Sequence, residues 1–211
     1  MNLYPLVDLL TRRYVMRAYG VTILGKEHIP TSGPAILAAN HESSLDPWFI
    51  GVCTPRQMHY MAKAELFRYP GLRAVLDGLG CVPVMRGSDR GAAIGQAARL
   101  LEAGKLVGIF PQGTCLPLPE RPFRRGAARL AIATGAPLVP VALIGTEQAL
   151  QPRTHRIGFP KVTIAIGEPL VAGSEMNGAA GELTSRLESA IEALRAPYSD
   201  DAVRAGSATW T

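Results

Sequence analysis

The sequence predicts an α/β fold, a single-domain α/β sandwich around a mixed, mainly parallel sheet with an N-terminal amphipathic helix. Short apolar segments typical of buried strands alternate along the chain with segments of helical periodicity. The length of 211 residues and the hydrophobic fraction of 47% suffice for one domain with a sizeable core. We therefore expect an amphipathic helix at residues 1–19, a globular domain at 20–196 and a polar tail at 197–211.

The predicted strands are short, rich in β-branched or other apolar residues, and bounded by glycine, proline or polar residues. They are Val21–Leu24, Ala35–Ala39, Met58–Ala62, Cys81–Met85, Leu106–Phe110, Leu138–Ile144 and Val162–Ile166. In such sheets the chemistry collects where strands end and loops begin. The residues directly after these strands are therefore the first candidates for a functional site.

The predicted helices lie mainly between these strands. Asp46 followed by Pro47 is a good helix start, because a carboxylate can cap the first turn and proline fits the first helical position. Gly104 and Gly135 mark helix ends. The segments are Pro47–Cys53, Pro70–Leu79, Arg90–Ala103, Gly126–Thr134 and a final amphipathic helix carrying Leu183, Leu187, Ile191 and Leu194.

Residues 3–18 are predicted to form the N-terminal amphipathic helix. Its apolar face carries Leu3, Val7, Leu10, Tyr14 and Ala18. That face either packs on the domain or lies in a membrane interface with the nearby arginines at the headgroups. The sequence predicts no transmembrane helix, because no window of about 18 residues is apolar and uncharged, and it predicts no signal peptide.

The formal net charge of +5 is concentrated in the first 170 residues, which hold 19 Lys and Arg against 11 Asp and Glu. A basic body of this kind predicts an anionic partner, namely a phosphate, a coenzyme or a lipid headgroup. Nucleic acid is not expected as a partner. Aromatic residues make up only 6% of the chain and form no basic platform on which bases could stack.

The cysteines and histidines suggest neither a disulfide framework nor a metal site. Cys53, Cys81 and Cys115 have no ligand spacing and cannot all pair, which favours a reducing compartment. The four histidines are scattered along the chain. We therefore predict no bound metal.

A histidine and an aspartate follow the buried segment Ala35–Ala39. The segment stops at Asn40 and His41, and Asp46 comes five residues after the histidine. A tight loop between them would bring the carboxylate to one imidazole nitrogen and leave the other facing a cleft. This is the geometry of a histidine base held in one tautomer by a carboxylate.

Two other interpretations of this loop stay open. The simpler one is a capped helix beside a surface histidine. The other is a serine hydrolase in which Ser43 or Ser44 acts with His41 and Asp46. The serines lie too close to His41 for a usual nucleophile elbow, and the Gly-x-Ser-x-Gly motif is absent.

Three further candidates occupy strand ends, namely Lys63, Arg86 and the Pro-Gln-Gly-Thr segment 111–114. The guanidinium of Arg86 is suited to gripping a phosphate through two parallel hydrogen bonds, although an arginine at a strand exit is often only a surface residue. A strand that breaks into this segment exposes backbone N–H groups to an anion or a developing oxyanion. The alternative for this segment is an ordinary turn.

These motifs together resemble those of the glycerolipid acyltransferases, the 1-acylglycerol-3-phosphate acyltransferase family. Asn40-His41-x-x-x-x-Asp46 resembles the first signature of that family. The other blocks follow in the expected order, across residues 20 to 170. They are Ala62–Leu66, Gly80–Arg86, Phe110–Thr114 with Phe123–Gly126, and Leu138–Val141.

The resemblance implies transfer of a fatty acyl group from acyl-CoA or acyl carrier protein to a hydroxyl of a lysophospholipid-type acceptor. It implies that His41 is the general base, that Asp46 orients it, and that Lys63 and the Gly113 N–H stabilise the oxyanion. The implied substrate-binding residues are Asn40, Arg86, Gln112, Thr114, Arg124 and Arg125. No cofactor is implied beyond the thioester co-substrate, and the expected place is cytoplasmic, at the inner face of a membrane.

Two positions depart from the family pattern. Gln112 stands where the family usually has glutamate, and Cys115 stands where it usually has arginine. The missing cation leaves open an acceptor without a phosphate, such as another lipid or a specialised metabolite. It also leaves open a non-catalytic lipid-binding relative, although the retained His41 and Asp46 favour an enzyme.

Overall fold

The computed structural model describes residues 12–78, 80–84, 90–115, 122–151, 156–171 and 179–198. Seven strands form its single sheet. They are β1 (Thr22–Leu24), β2 (Ala35–Ala39), β3 (Met58–Lys63), β4 (Cys81–Val84), β5 (Leu106–Ile109), β6 (Leu138–Ile144) and β7 (Thr163–Ile166). Each of the predicted strands is present, and no bound differs by more than one residue from the prediction.

The strand order is β1-β7-β6-β2-β5-β3-β4. From β6 to β4 all neighbouring strands are parallel, whereas β7 is antiparallel to β6 and parallel to β1. The predicted mixed, mainly parallel sheet is therefore confirmed. All five residues of β2 are buried, because this strand lies between β6 and β5 and is covered on both faces.

Helices cover both faces of the sheet. They are α1 (residues 12–18), α2 (Asp46–Gly51), α3 (Pro70–Gly78), α4 (Arg90–Glu102), α5 (Gly126–Thr134) and α6 (Ala179–Arg195). Alternate residues of β2 divide the core, with Leu37 in the cluster under α1 and α2 and Ile36 in the cluster under α4, α5 and α6. Within the described ranges, no helix has the length and apolarity needed to cross a bilayer.

The carboxyl ends of β2, β5 and β3 lie side by side, because these strands are parallel neighbours. We call this the carboxyl edge of the sheet. His41 follows β2, the turn at residues 110–114 follows β5, and Lys63 is the last residue of β3. Arg86 follows β4 along the chain but lies outside the described residues. The fold thus gathers three of the four predicted strand-end candidates at one edge.

The described part of the N-terminal helix packs on the domain through a different face from the one predicted. Val15 and Tyr19 are buried, whereas Tyr14, assigned to the apolar face, is 61% exposed. Tyr19, directly after α1, packs on Phe49 of α2 with ring centroids 5.1 Å apart. Packing of the predicted face is therefore not seen at Tyr14, and the membrane-interface alternative for that face stays a prediction. Residues 1–11 lie outside the described part, so the proposed division at residue 19 stays a prediction.

Arg12 ties α1 to the end of α2. Its guanidinium donates to the carbonyl of Val52 at 2.9 Å and also to the carbonyls of Gly51 and Thr54. The last carbonyls of a helix have no partner within the helix and carry partial negative charge. Arg12 therefore caps α2, the helix that begins at Asp46.

Candidate active site

His41 and Asp46 form a hydrogen-bonded pair at the carboxyl edge. The Nδ1 atom of His41 lies 2.8 Å from Oδ2 of Asp46. The Asp46 side chain is fully buried, whereas 19% of the His41 side chain is exposed. A carboxylate bonded to Nδ1 holds the proton there and leaves Nε2 as the basic nitrogen. The loop predicted from the five-residue spacing therefore has the expected geometry.

Asp46 also shapes the loop that carries His41. Its Oδ2 accepts the backbone N–H groups of Glu42 and Ser43, each at 2.8 Å. The expected capping role is wrong, because Leu45 is the N-cap of α2 and no side chain caps it. The carboxylate points back toward the preceding loop. Pro47 lies in the first turn of α2, as predicted. Asp46 thus orients the imidazole of His41 and fixes the backbone beside it.

Asn40 anchors the end of β2 to β6. Its Nδ2 donates to the carbonyl of Leu143 and its Oδ1 accepts the N–H of the same residue, both at 2.8 Å. The side chain is fully buried. The substrate contact predicted for Asn40 does not fit this placement, because both amide groups are already engaged. The Asn40 side chain instead forms the hydrogen bonds to β6 that a strand backbone would form. The backbone can therefore leave the sheet and turn at His41.

Gln112 supports His41 from the turn that follows β5. Its Oε1 accepts the backbone N–H of His41 at 2.7 Å, and the residue is fully buried. Its predicted role in substrate binding does not fit this burial. A carbonyl acceptor is what this contact needs, so glutamine meets the need without a charge. The ring of Phe110 stacks on His41 with centroids 4.1 Å apart and confines the imidazole further.

The turn around Gly113 closes on itself. The Gly113 N–H donates to the carbonyl of Phe110 at 3.0 Å, and its φ of +71° is in the left-handed region that favours glycine. A Cβ at this position would lie 3.1 Å from the guanidinium carbon of Arg124. The absence of a side chain therefore lets Arg124 lie directly over the turn. Thr114 is half-buried within it.

Arg124 and Arg125 do not point to the same place. Arg124 covers the Gly113 turn, and its backbone N–H donates to the carbonyl of Pro111 at 3.0 Å. The guanidinium of Arg125 lies instead near Gly181 of α6, where a Cβ would be 3.7 Å away. Both arginines were implied to bind the substrate. The structure brings only Arg124 to the turn.

A buried ion pair joins the loop that carries His41 to the last helix. The Nη2 atom of Arg195, at the end of α6, lies 2.8 Å from Oε1 of Glu42. Only 3% of the Glu42 side chain and 28% of the Arg195 side chain are exposed. Sequence reasoning missed this pair, because nothing in the local pattern of Glu42 connects it with a residue so far along the chain.

Cys115 lies beside the His41–Asp46 pair. One donor atom from each of these three residues lies within 4.8 Å of the other two. Burial, together with the negative charges of Asp46 and Glu42, raises the pKa of the Cys115 thiol to about 12. The thiol is therefore neutral at physiological pH. The unusual residue at 115 was visible in the sequence, but its proximity to His41 and Asp46 was not.

The remaining predicted residues are placed as follows. Ser43 is fully buried, with Oγ donating to the carbonyl of Leu150 at 3.2 Å, so it is not placed as a nucleophile. Ser44 is exposed on the same loop. Lys63 pairs with Val84 in the sheet. The roles predicted for Lys63, Arg86 and Thr114 stay predictions.

Comparison with known proteins identifies the family. The model of the acyltransferase family matches residues 20–144, more than half of the chain. The chain belongs to the acyltransferase family. The matched residues run from β1 to β6 and include His41, Asp46 and the Gly113 turn. The resemblance inferred from the motifs is thereby confirmed.

Several relatives are 1-acyl-sn-glycerol-3-phosphate acyltransferases. The one from Bacillus subtilis is 37% identical over 127 residues, covering 60% of this chain and 63% of that protein. Human 1-acyl-sn-glycerol-3-phosphate acyltransferase alpha is 32% identical over 136 residues, covering 62% of this chain and 48% of that protein. This acyltransferase-family chain thus spans less than two thirds of the length of these relatives.

The fold is also that of a solved acyltransferase. The crystal structure of the 1-acyl-sn-glycerophosphate acyltransferase PlsC from Thermotoga maritima superposes with a TM-score of 0.73 at 26% identity. The superposition covers 97% of this chain and 81% of that protein. The similarity therefore extends beyond the matched motifs to nearly the whole acyltransferase-family chain.

Proposed function

We propose that this protein transfers a fatty acyl group from a thioester, acyl-CoA or acyl carrier protein, to the free hydroxyl of 1-acylglycerol-3-phosphate. The observation that carries the proposal is the His41–Asp46 pair, with Nδ1 and Oδ2 2.8 Å apart. A fully buried carboxylate and a partly exposed imidazole at a sheet edge suit a general base that meets a substrate hydroxyl. The names of the relatives support the same acceptor.

In the proposed mechanism, Nε2 of His41 removes the hydroxyl proton as the acceptor oxygen attacks the thioester carbonyl carbon. The new C–O bond forms, the tetrahedral intermediate collapses, and the C–S bond breaks. The imidazolium then returns the proton to the departing thiolate. Asp46 holds the ring and stabilises its positive charge. General-base catalysis of this kind contributes about 10²- to 10⁴-fold to the rate.

The tetrahedral oxyanion needs hydrogen-bond donors, and we propose Lys63 and the Gly113 N–H for this role. One such donor is worth about 10²- to 10³-fold in rate. The Gly113 N–H donates to the carbonyl of Phe110 at 3.0 Å, so an oxyanion must displace that carbonyl to use it. Lys63 ends β3 at the same edge of the sheet and supplies ammonium donors.

We propose that Arg124, with Arg86, binds the phosphate of the acceptor. Arg124 is exposed and lies over the Gly113 turn, which is close to the base because Gln112 of that turn bonds to His41. A guanidinium pairs well with a phosphate through charge-assisted hydrogen bonds. Arg125 lies near α6 instead and has no proposed part in acceptor binding.

The test compares acylation of lysophosphatidate with acylation of an unphosphorylated monoacylglycerol, using labelled acyl-CoA. Arg124→Ala should lower kcat/KM for lysophosphatidate about 10- to 150-fold, since a hydrogen bond to a charged group is worth about 1.5–3 kcal/mol. The monoacylglycerol rate should change little. Arg125→Ala is the matched control and should leave both rates near those of the wild type. Equal losses for both acceptors in Arg124→Ala would refute the phosphate assignment.

The second candidate function is acylation of a non-phosphorylated acceptor. The observation that favours it is Cys115, a neutral thiol near two carboxylates at a position where the family usually carries a cation. The same acceptor panel decides between the two functions. A wild-type preference for the monoacylglycerol would establish the alternative, and no transfer to any acceptor would favour a non-catalytic lipid-binding protein.

We also propose that the protein binds the surface of an anionic membrane, at its cytoplasmic face. Tyr14, Ile157 and Phe159 are 61%, 69% and 62% exposed, and they are accompanied by the exposed cations Arg13, Arg17 and Lys161. We call these six residues the docking surface. Exposed apolar side chains among cations suit a bilayer with acidic headgroups.

The docking surface is connected to the catalytic loop. Phe159 packs on Tyr19 at the end of α1, with ring centroids 5.4 Å apart. Ile157 pairs with Leu150, whose carbonyl accepts the hydroxyl of Ser43 two residues from His41. A membrane bound at this surface would therefore hold a lipid acceptor near the base.

Ile157→Ser combined with Phe159→Ser should weaken binding to phosphatidylglycerol vesicles about tenfold or more, because two apolar side chains no longer enter the bilayer. Val171→Ser is the matched control. Val171 is 68% exposed but follows Leu170, which pairs with Leu138. Leu138 begins β6, so Val171 lies at the end of the sheet opposite the carboxyl edge. Vesicle sedimentation measures the binding. Equal binding by the two variants, or no preference for anionic vesicles at low salt, would contradict the proposal.

A further inference from the structure

The side chains around the proposed base include three of the types that bind zinc in proteins. His41, Asp46 and Cys115 each offer one donor atom, and these atoms lie within 4.8 Å of one another. Imidazole, carboxylate and thiolate are the ligand types that zinc binds in proteins. Three protein ligands with a fourth position open is a common arrangement of zinc. The sequence did not indicate this set, because Cys115 is distant from the other two along the chain.

We propose that His41, Asp46 and Cys115 form an inhibitory binding site for Zn²⁺ that occupies the catalytic base. The zinc ion would bind Nδ1, the nitrogen that faces Asp46, and the proton of the neutral ring would move to Nε2. A protonated Nε2 cannot accept the proton that the transfer reaction releases. The inhibition rests on the function proposed above, whereas the binding itself does not. The proposed site regulates the enzyme rather than taking part in its chemistry.

The carboxylate has an oxygen available for a metal. Oδ2 of Asp46 is used by His41 and by the backbone of the loop, but Oδ1 has no hydrogen-bond partner in the described part of the chain although the side chain is fully buried. A buried carboxylate oxygen without a donor is energetically costly, and a cation would satisfy it. Binding through Oδ1 would leave the loop contacts of Oδ2 in place.

The distances are close to those of a zinc site. Zinc bonds of about 2.0–2.3 Å place tetrahedral ligand atoms about 3.5 Å apart. The donor atoms of the three residues lie within 4.8 Å of one another, so a movement of about 1 Å brings them to that separation. Cys115 is half-buried in the segment after β5 and can supply that movement by rotation about χ1. The charges of Asp46 and Glu42, which act on Cys115, also favour a cation at this point.

Cobalt serves as the probe for binding, because a thiolate bound to Co²⁺ gives a charge-transfer absorption in the near ultraviolet. The wild type should show this absorption with one Co²⁺ per chain, and added Zn²⁺ should displace it. Cys115→Ser and His41→Ala should each reduce the affinity at least about 100-fold, since even outer-sphere changes cost 10- to 100-fold. Cys81→Ser is the matched control, a half-buried thiol elsewhere that should change nothing.

Inhibition is measured as the rate of acyl transfer at a series of buffered free Zn²⁺ concentrations. The rate of each variant is compared with the rate of the same variant without zinc. Wild type and Cys81→Ser should be inhibited at the concentration that displaces cobalt, and a chelator should restore them. Cys115→Ser should need at least about 100-fold more zinc. No thiolate–cobalt absorption in the wild type, or unchanged metal affinity in folded Cys115→Ser, would overturn the proposal. Binding without any acyl transfer activity would instead refute the proposed function.

Discussion

Replacing His41 with alanine should lower kcat for acyl transfer by about 10²- to 10⁴-fold, because the proposed general base is lost. Asp46→Asn should cause a loss of the same order. A neutral amide stabilises the imidazolium less than the carboxylate that lies 2.8 Å from Nδ1. Both rates are measured with labelled acyl-CoA at saturating acceptor. Circular dichroism of each variant establishes that the fold is retained.

Ser44→Ala is the control for this pair of variants, since Ser44 is an exposed residue of the same loop. It should retain activity within about twofold of the wild type. His41→Ala with more than a tenth of the wild-type rate would contradict the general-base assignment. Loss of activity in Ser44→Ala, with an acyl group trapped on that serine, would support a serine hydrolase instead.

Arg195→Ala should lower the free energy of unfolding by about 3 kcal/mol, because it removes the cation that pairs with a buried carboxylate. The Glu42 side chain is only 3% exposed and its Oε1 lies 2.8 Å from the arginine. For a domain of this size the melting temperature should fall by about 6–12 °C. The acyl transfer rate should also fall, since Glu42 directly follows His41. Thermal unfolding and steady-state kinetics measure the two effects.

Arg186→Ala is the matched control, an exposed arginine on the same helix that should change stability by less than about 0.5 kcal/mol. Adding Glu42→Gln to Arg195→Ala should recover part of the lost stability, because a neutral amide costs less to bury than a charge. If Arg195→Ala unfolds at the same temperature as Arg186→Ala, the ion pair does not stabilise the protein.

The sheet and most helices could be predicted because their signals are local. The five apolar residues of β2 and the Leu183, Leu187, Ile191 spacing of α6 each identify an element without reference to the rest of the chain. The His41–Asp46 contact was predictable for the same reason, since a five-residue loop permits few geometries. Local patterns therefore predicted the scaffold and the centre of the site.

The contacts that support the base were not predictable, because each joins distant parts of the chain. Gln112 was expected to touch substrate, yet it accepts the His41 backbone N–H. Arg12 was not among the residues of the predicted apolar face, yet it caps α2. The helix start at Asp46 misled in another way. Aspartate followed by proline is typical of a helix N-cap. The Asp46 carboxylate instead bonds to the His41 imidazole and to the backbone N–H groups of the preceding loop.

The bond between Asn40 and Leu143 joins residues separated by 103 positions of sequence. During synthesis from the amino end, β2 and His41 leave the ribosome long before β6 does. A nascent chain that stops short of residue 143 therefore contains the whole His41–Asp46 loop but lacks the strand that anchors its start. The anchored geometry of the His41 loop, on which the proposed activity depends, is therefore completed only late in translation, when β6 joins the sheet.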